Sequence, residues 1–204
     1  MTQKLTGQAY IDHWKTRIAR GPHEAGTIEN GNDTWQFITQ RLPPSIAPKS
    51  ALEFGCAYGR MLRHLREQWP EADLYGVDLC RGALDHLAKN WHLPGGPPRL
   101  FNQNVPPTGI EVDLIFTCTV LQHVTDRENL QAIADGFRAI LNPNGYLILF
   151  ENVNWGKGQG GSHMNELTAD EYMNLWPELQ WRDCGALYHR QEAHELLIGK
   201  RVVE

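Results

Sequence analysis

The sequence predicts a three-layer α/β fold in which a mostly parallel, seven-stranded sheet ends in an antiparallel C-terminal hairpin. Strand-like and helix-like segments alternate between residues 50 and 150, which is typical of a parallel sheet with helices on both faces. The most continuous apolar run, Val112 to Thr119, indicates a central strand that is buried on both faces. Two further strand-like segments, Trp181 to Tyr188 and Glu195 to Val202, are close enough in sequence to pair antiparallel.

The chain is expected to form one domain, residues 1–204, and its first 45 residues are predicted to form a helical cap. A helix from Gly7 to Arg20 places its apolar residues on one face, and Gly21 and Pro22 end it. A second, short helix is predicted from Asp33 to Arg41, with Asp33 as its N-cap. Both helices precede the sheet and therefore flank or cover it.

Residues 46–151 are predicted to form the core of the sheet. Its strands are Ala51 to Phe54, Leu74 to Asp78, Arg99 to Phe101, Val112 to Thr119 and Tyr146 to Phe150. Helical spacing of apolar residues predicts helices after Gly59, from Arg81 to Asn90 and from Asp126 to Leu141. A turn is expected at Asn142 to Gly145, and the helix between the third and fourth strands is missing or short.

Residues 152–204 are predicted to contain a glycine-rich loop, a helix and the C-terminal hairpin. The loop from Asn152 to His163 is either a mobile lid or substrate loop or a disordered connector. A phosphate-binding loop is excluded there, because the spacing of its glycines and lysine does not match that motif. The helix is expected from Thr168 to Trp176, with Thr168 as N-cap and Glu171 completing a capping box.

Composition excludes several classes of function. The net charge is −5 with the basic residues scattered, which argues against a nucleic-acid partner. No apolar run approaches the ~18–20 residues that span a membrane, and the first 15 residues lack the apolar stretch of a signal peptide, so we expect a cytoplasmic protein. The four cysteines and nine histidines lack the paired spacings of metal sites, and we expect no metal. Either a monomer or a homodimer is compatible with the sequence.

The segment from Ser50 to Leu65 predicts a strand, a tight glycine turn and a helix, which together form the first unit of a nucleotide-binding sheet. Its glycines do not match the dinucleotide pattern G-x-G-x-x-G, so a diphosphate is disfavoured. Glu53 places an acid just before the turn, which favours a ligand with positive charge. Asp78 follows Gly55 by 23 residues, close to the ~20-residue separation at which a carboxylate binds ribose hydroxyls. We therefore infer a ribose-bearing cofactor with a cationic end.

These residues carry a resemblance to a known family. The segment E-F-G-C-A-Y-G-R at residues 53–60 resembles the first motif of class I S-adenosylmethionine-dependent methyltransferases, with Ala57 in the place of its middle glycine. Residues 76–79, 117–124 and 141–147 are similar to the later motifs, in order and properly spaced. The resemblance implies a Rossmann-like methyltransferase fold, S-adenosylmethionine as cofactor and S-adenosylhomocysteine as product. It implies a cofactor site formed by Tyr10, Trp14, Glu53, Gly55, Cys56, Ala57, Gly59, Arg60, Asp78, Leu79, Asn104, Val105, Cys118 and Thr119.

Methyl transfer from a sulfonium is an in-line displacement that depends mainly on positioning, and it needs a base only if the acceptor must lose a proton. The candidate catalytic residues are His123, Glu151 and His163, and for His123 a packing or capping role stays open. The acceptor is expected to be a small molecule. Two alternatives are a non-catalytic S-adenosylmethionine-binding partner or sensor, and an NAD(P)-dependent reductase, for which the glycine spacing is wrong.

Overall fold

A computed structural model of the chain describes residues 4–21, 31–153, 161–189 and 192–202. The strands are β1 (Ser50–Phe54), β2 (Asp73–Asp78), β3 (Arg99–Asn102), β4 (Val112–Cys118), β5 (Leu141–Asn152), β6 (Leu179–His189) and β7 (Glu192–Arg201). The helices are α1 (Gly7–Ala19), α2 (Gly31–Thr39), α3 (Arg60–Gln68), α4 (Arg81–Lys89), α5 (Arg127–Ile140) and α6 (Ala169–Met173). A single 3₁₀ turn, Leu121–His123, follows β4.

The seven strands form one sheet in the order β3-β2-β1-β4-β5-β7-β6. The first five strands pair in parallel, whereas β7 pairs antiparallel with both β5 and β6. The predicted fold class is thereby confirmed, including the antiparallel C-terminal hairpin. Residues 103–111, between β3 and β4, contain no helix. The strand order reverses between β1 and β4, and in such sheets ligands bind at the carboxyl ends of the strands beside this reversal.

The sheet separates two apolar cores because successive residues of a strand point to opposite faces. In β4, Leu114 and Phe116 pack in the core that contains α2, α3 and α4. Ile115, between them, packs on the other face with Phe137 of α5 and Trp176. A strand that is apolar on both faces must lie in the middle of the sheet, where β4 is found.

Three local features differ from the sequence predictions or refine them. The helix α2 begins at Gly31, so Asp33 lies in its first turn and is not its N-cap. The predicted turn at residues 142–145 forms the irregular start of β5, where Val112 pairs with Leu141 and Leu114 with Tyr146. The capping box of α6 is confirmed, since the Thr168 hydroxyl accepts from the backbone N–H of Glu171 at 3.2 Å.

The structure also bears on the predictions drawn from composition. Among the described helices, none has both the length and the apolar character that crossing a bilayer requires. All four cysteines are free thiols, and three of them are buried. Burial raises the pKa of the Cys118 thiol to about 12, which keeps this side chain protonated and unreactive. Of the predicted lid loop, residues 154–160 lie outside the described residues.

Candidate functional site

A cleft opens at the carboxyl ends of β1, β2 and β4, where the strand order reverses, and α1 covers it. It comprises about 1000 Å³ of space, open solvent at its mouth included. Its walls are formed by Tyr10, Trp14, Ile18, Glu53, Phe54, Gly55, Cys56, Ala57, Tyr58, Arg60, Met61, Val77, Asp78, Leu79, Gln103, Asn104, Cys118, Thr119, Val120, His123, Val124, Asn129 and Ile133.

The turn between β1 and α3 brings main chain, rather than side chains, to the cleft. Gly55 has a φ of +77°, and a Cβ atom at this position would lie 2.3 Å from the Val120 side chain. Ala57 has a φ of +43°, in the left-handed region that residues with a Cβ rarely adopt. Both residues line the cleft, and the missing Cβ of Gly55 lets the Val120 side chain pack against the turn.

Asp78 ends β2 and turns its carboxylate toward the glycine turn. Its two oxygens accept hydrogen bonds from the backbone N–H groups of Ala57 and Cys80, each at 2.8 Å. Burial raises the pKa of the Asp78 carboxyl, and these two N–H donors oppose that shift. The carboxylate is thus fixed by backbone at the edge of the cleft, where its remaining lone pairs can accept from hydroxyl groups.

Glu53 places a second carboxyl group in the same wall, and the residue is only 4% exposed. Its Oε2 atom is buried and accepts no hydrogen bond from the described residues. Burial raises the pKa of Glu53 well above its usual range, while the positive charge of Arg60 acts in the opposite direction. A cationic ligand group in the cleft would supply the missing partner and favour the ionised form.

The chain leaves β4 through Thr119, whose φ of +56° is unusual for a β-branched residue. The loop that follows is held from below by Glu151, which is fully buried. Its Oε1 accepts from the Thr117 hydroxyl at 2.8 Å, and the two carboxylate oxygens also accept from backbone N–H groups of the 3₁₀ turn and of Val120 before it. Burial raises the pKa of Glu151 to about 7, although these four donors favour its charged form. Glu151 therefore shapes the floor beneath the cleft and does not line it.

His123 lines the cleft from this loop, and its hydrogen bonds define its tautomer. Its Nδ1 lies 3.2 Å from the carbonyl oxygen of His163, so Nδ1 carries the proton and donates. Its Nε2 lies 3.4 Å from the amide nitrogen of Gln122, which can donate to it. Burial lowers the pKa of His123 to about 3, so the ring is neutral at physiological pH. A neutral imidazole with both nitrogens engaged is a poor general base.

The helix α1 covers the cleft with aromatic side chains. Tyr10, Trp14 and Ile18 are buried on its inner face. The ring of Trp14 packs on His123 with their centroids 4.4 Å apart. The hydroxyl of Tyr58, in the glycine turn, donates to the carbonyl oxygen of Ile18 at 2.6 Å. These contacts attach the N-terminal helix directly to both walls of the cleft.

Three histidines form a stacked column at the mouth of the site. His163 lies in the middle, with its ring centroid 5.6 Å from those of both His13 and His123 and its ring nearly parallel to theirs. The segment that carries His163 is tied to the 3₁₀ turn by Asn165, whose backbone N–H donates to the carbonyl of Gln122 at 2.8 Å. Within the described residues, no group of three or more His, Cys, Asp or Glu could hold a metal ion.

The structure places most of the residues predicted for the cofactor in one cleft. Gly59 and Val105 do not line it, and a Cβ on Gly59 would instead meet Leu87 of α4. Among the candidate catalytic residues, His123 lines the cleft, His163 adjoins it and Glu151 lies beneath it. The lining residues that were not predicted from sequence are Ile18, Phe54, Tyr58, Met61, Val77, Gln103, Val120, Val124, Asn129 and Ile133. Among them, only residues within or beside the recognised motifs, such as Tyr58, Val120 and Gln103, had a signal that pointed to the site.

Comparison with known proteins identifies the family and the fold of the chain. Residues 28–197 match a family described as a methyltransferase domain. A malonyl-[acyl-carrier protein] O-methyltransferase of Alcanivorax borkumensis is 24% identical over 182 residues, covering 88% of this chain and 60% of that protein. A second enzyme of the same name, from Hahella chejuensis, is 26% identical over 61% of this chain and 47% of its own length. The chain thus spans about half to three fifths of the length of these curated relatives.

One solved structure shares the fold of this chain over nearly the whole length of both proteins. The N-methyltransferase NodS from Bradyrhizobium japonicum WM9, crystallised with S-adenosylhomocysteine, superimposes with a TM-score of 0.72 at 18% identity. The match covers 94% of this chain and 98% of NodS.

Proposed function

The chain belongs to the methyltransferase domain family, and from this premise we propose that it transfers the methyl group of S-adenosylmethionine to a small-molecule acceptor. S-adenosylmethionine is the cofactor, and S-adenosylhomocysteine is the product. The sulfonium of the cofactor supplies an activated methyl group and a good leaving group, and the protein supplies the geometry of attack. The names of the similar proteins describe methyl transfer to oxygen in one case and to nitrogen in the other. These names therefore do not indicate which atom this chain methylates.

One observation carries the proposal: a single cleft brings together the Asp78 carboxylate, the glycine turn and the buried carboxyl of Glu53, whose Oε2 has no hydrogen-bond partner among the described residues. Asp78 would accept from the ribose hydroxyls, and Leu79 and Asn104 would flank the adenine. Glu53 would face the charged methionyl end, because its Oε2 has no partner among the described residues. The absence of a Cβ at Gly55 lets the Val120 side chain pack directly against this turn. The residues present therefore fit the cofactor.

We further propose that this site works by positioning and by excluding water, and that His123 does not act as a base. Holding two reactants in line can contribute roughly 7–11 kcal/mol to lowering a barrier. The neutral ring of His123 and the indole of Trp14 form an apolar wall beside the place where the methyl group would be transferred. The buried carboxylate of Glu151 holds the loop that carries this wall.

If the acceptor must lose a proton, His163 is the candidate of the three that suits this role best. Its ring nitrogens have no hydrogen-bond partner among the described residues, and it adjoins the cleft beside His123. Burial lowers the pKa of His163, and the positive charges of Arg17, His13 and Lys4 lower it further. The ring is therefore neutral at physiological pH and has a free lone pair.

Isothermal titration calorimetry with S-adenosylhomocysteine and, separately, with NADPH tests the cofactor assignment. We expect saturable binding of S-adenosylhomocysteine and none of NADPH, whereas the reverse would indicate a reductase and reject the proposal. Turnover is then measured as release of S-adenosylhomocysteine with a panel of small O-, N- and C-nucleophiles. Binding without turnover of any acceptor would instead favour a sensor or a partner protein.

A further inference from the structure

A second cleft lies on the outer face of α1, next to the helix face that covers the cofactor cleft. Its described lining residues are Leu5, Ala9, Asp12, His13, Thr16, Arg17 and Arg20. Apart from Leu5, these residues recur at helical spacing, so they form one stripe along the helix. The neighbouring stripe, Tyr10, Trp14 and Ile18, faces the first cleft. The two clefts therefore share the helix as a common wall.

Two arginines give the second cleft a local positive charge on an acidic protein. Neither Arg17 nor Arg20 forms an ion pair or a side-chain hydrogen bond within the described part of the chain, and Arg17 lies 5.3 Å from the centroid of the Trp14 ring. Lys4, whose charge also acts on His163, is already paired with Glu166 at 2.9 Å. One acid, Asp12, also lines the cleft, and it accepts from the amide nitrogen of Gln8 at 2.7 Å. The net charge of the chain is −5, so two guanidinium groups without an acidic partner in the described part of the chain are a local departure from the overall balance.

The imidazole column connects this cleft to the place of methyl transfer. His13 lines the second cleft and His123 lines the first, and His163 lies between them at 5.6 Å from each. The Nε2 atom of His13 is buried and has no hydrogen-bond partner among the described residues. Burial is the main reason that the pKa values of all three histidines are lowered, and the positive charge of Arg17 lowers each of them further.

We propose that the second cleft binds the anionic group of the methyl acceptor, a carboxylate or a phosphate, through Arg17, Arg20 and His13. The planar guanidinium matches both anions with paired hydrogen bonds. The nucleophilic end of the acceptor would then lie past the histidine column, at the cofactor. The carboxylate of the cofactor itself is a poor candidate for this cleft, because Arg60 already lines the cofactor cleft. This inference rests on the proposed function and assigns a chemical class to its acceptor.

Binding of small anions to the full chain saturated with S-adenosylhomocysteine tests the proposal without requiring turnover. Inorganic phosphate and succinate are titrated at constant ionic strength, and the Nε–Hε signals of ¹⁵N-labelled arginine are followed by NMR. We expect the signals of Arg17 and Arg20 to shift in a saturable way as the anion is added. In Arg17→Gln and Arg20→Gln, the shift of the remaining arginine should become weaker at the same anion concentration. Each substitution is expected to weaken anion binding about three- to tenfold, as loss of a partly exposed charge-assisted contact does.

Lys15→Gln is the matched control, because Lys15 is an exposed cation on α1 outside both clefts. It removes the same charge and should leave anion binding unchanged. If Lys15→Gln weakens anion binding as much as the arginine variants do, the anion is attracted only by the overall charge of the helix, and the proposal is overturned. Shifts that do not saturate would overturn it as well. The tighter of the two anions identifies whether a phosphate or a carboxylate is preferred.

A second experiment compares acceptors that differ only in the anion and are long enough to pass the histidine column, such as 8-hydroxyoctanoate with octan-1-ol and 8-aminooctanoate with octylamine. We expect the acid of each pair to have the lower KM, and Arg17→Gln with Arg20→Gln to remove that difference while the Kd of S-adenosylhomocysteine stays the same. A preference for the neutral acceptor would reject the anion site and leave the methyltransferase assignment intact. Failure of S-adenosylhomocysteine to bind would reject the proposed function, independently of the result with the anions.

Discussion

The two halves of the site are built in different ways. The strand half consists of residues 53–60, 78–79 and 118–120, and the helix half consists of α1 with residues 161–166. In the strand half, the carboxyl groups of Glu53 and Asp78 belong to residues only 4% and 6% exposed, and Asp78 is fixed by backbone donors. In the helix half, the rings of His13 and His163 are partly exposed, and the segments that carry them are held by contacts between distant parts of the chain, such as the backbone bond from Leu5 to Ser162 at 2.8 Å.

This difference indicates that the two halves have different functions. Residues fixed in a close-packed sheet keep a constant geometry, which suits a cofactor that is always the same. Segments that depend on fewer buried contacts open at lower free energy, which suits the entry and exchange of an acceptor. We therefore expect substitutions in the strand half to change stability and cofactor affinity, and those in the helix half to change acceptor kinetics.

The largest expected effect is on stability, at the glycine turn of the strand half. Gly55→Ala should lower the free energy of unfolding by about 3–4 kcal/mol, since overpacking and a left-handed φ each carry a penalty. The added Cβ would lie 2.3 Å from a side-chain carbon of Val120. Urea denaturation followed by circular dichroism measures the change.

Gly96→Ala provides a control with the same backbone conformation. Its φ is +79°, compared with +77° at Gly55, but nothing lies within 4 Å of the added Cβ. The substitution should therefore cost only about 1 kcal/mol for the left-handed backbone. Equal losses in the two variants would mean that the contact with Val120 does not constrain the turn.

The second effect concerns the pH dependence of the free energy of unfolding, to which the buried Glu151 contributes. Its pKa in the folded protein is about 7, raised from 4.5, so the folded state holds this proton more tightly than the unfolded chain. The resulting stability is fully present below pH 4.5 and is lost as the pH rises through about 7. The shift corresponds to at most about 3 kcal/mol. In Glu151→Gln, unfolding free energies measured from pH 5 to pH 8 should lack this decline.

Glu128→Gln is the control for this measurement, because Glu128 is an exposed carboxylate in the first turn of α5. Its profile should run parallel to that of the unsubstituted protein. If Glu151→Gln also runs parallel, the Glu151 carboxylate is ionised throughout the range and its four donors outweigh its burial.

The third effect is on cofactor affinity. Asp78→Asn should weaken S-adenosylhomocysteine binding about 100-fold, because hydrogen bonds to a charged group each contribute about 1.5–3 kcal/mol. The amide keeps the shape of the side chain but removes the charge. Calorimetry measures the change, with Asp85→Asn as a control at an exposed position on α4 whose partner is Arg81. A Kd within threefold of that of the unsubstituted protein would remove Asp78 from the cofactor site.

The strand half could be predicted from sequence because its signals are local. A short apolar strand, two glycines and a helical repeat lie within Ser50 to Leu65, and Asp78 ends the next apolar run. Each of these follows from the chemistry of consecutive residues, and the carboxyl ends of parallel strands meet at one edge of the sheet. Ala57, at the middle position of the turn, departs from the pattern of the family.

The helix half could not be assembled in the same way. His13 and His163 are 150 residues apart, and their rings stack only because α1 and the segment after β5 pack on the same loop. No periodicity encodes such a contact. The sequence marked His123 and His163 as chemically interesting, but the neutral tautomer of His123 depends on a carbonyl that only the fold supplies. The spacing of Arg17 and Arg20 in the sequence predicts only an ordinary solvent-exposed helix face.

The fourth effect should appear in acceptor kinetics alone. His163→Gln is expected to raise the KM for the acceptor about tenfold, equivalent to about 1.4 kcal/mol, while leaving the Kd of S-adenosylhomocysteine within twofold. The physical reason is that the ring lies between His13 and His123 and outside the cofactor cleft. Steady-state kinetics and calorimetry measure the two quantities. A loss of cofactor affinity would show that the two halves are not separate.

The pH profile of the same variant separates positioning from proton transfer. If His163 accepts a proton, kcat/KM of the unsubstituted protein should rise with pH through a pKa below the usual value for histidine. That rise should disappear in His163→Gln. A rise that persists in the variant would assign the ring a positioning role.

The smallest effect is a gain in stability within the strand half. Ala57 has a φ of +43°, where a Cβ is unfavourable, so Ala57→Gly should raise the free energy of unfolding by about 0.5–1 kcal/mol. The same chemical change at Ala132, exposed in the middle of α5, should lower it by about 1 kcal/mol, because glycine is a poor helix former. Opposite signs in the two variants would show that the turn is strained by its alanine. A loss at both positions would mean that the Ala57 methyl makes contacts that outweigh the strain, and the turn would then be fixed by packing as well as by backbone.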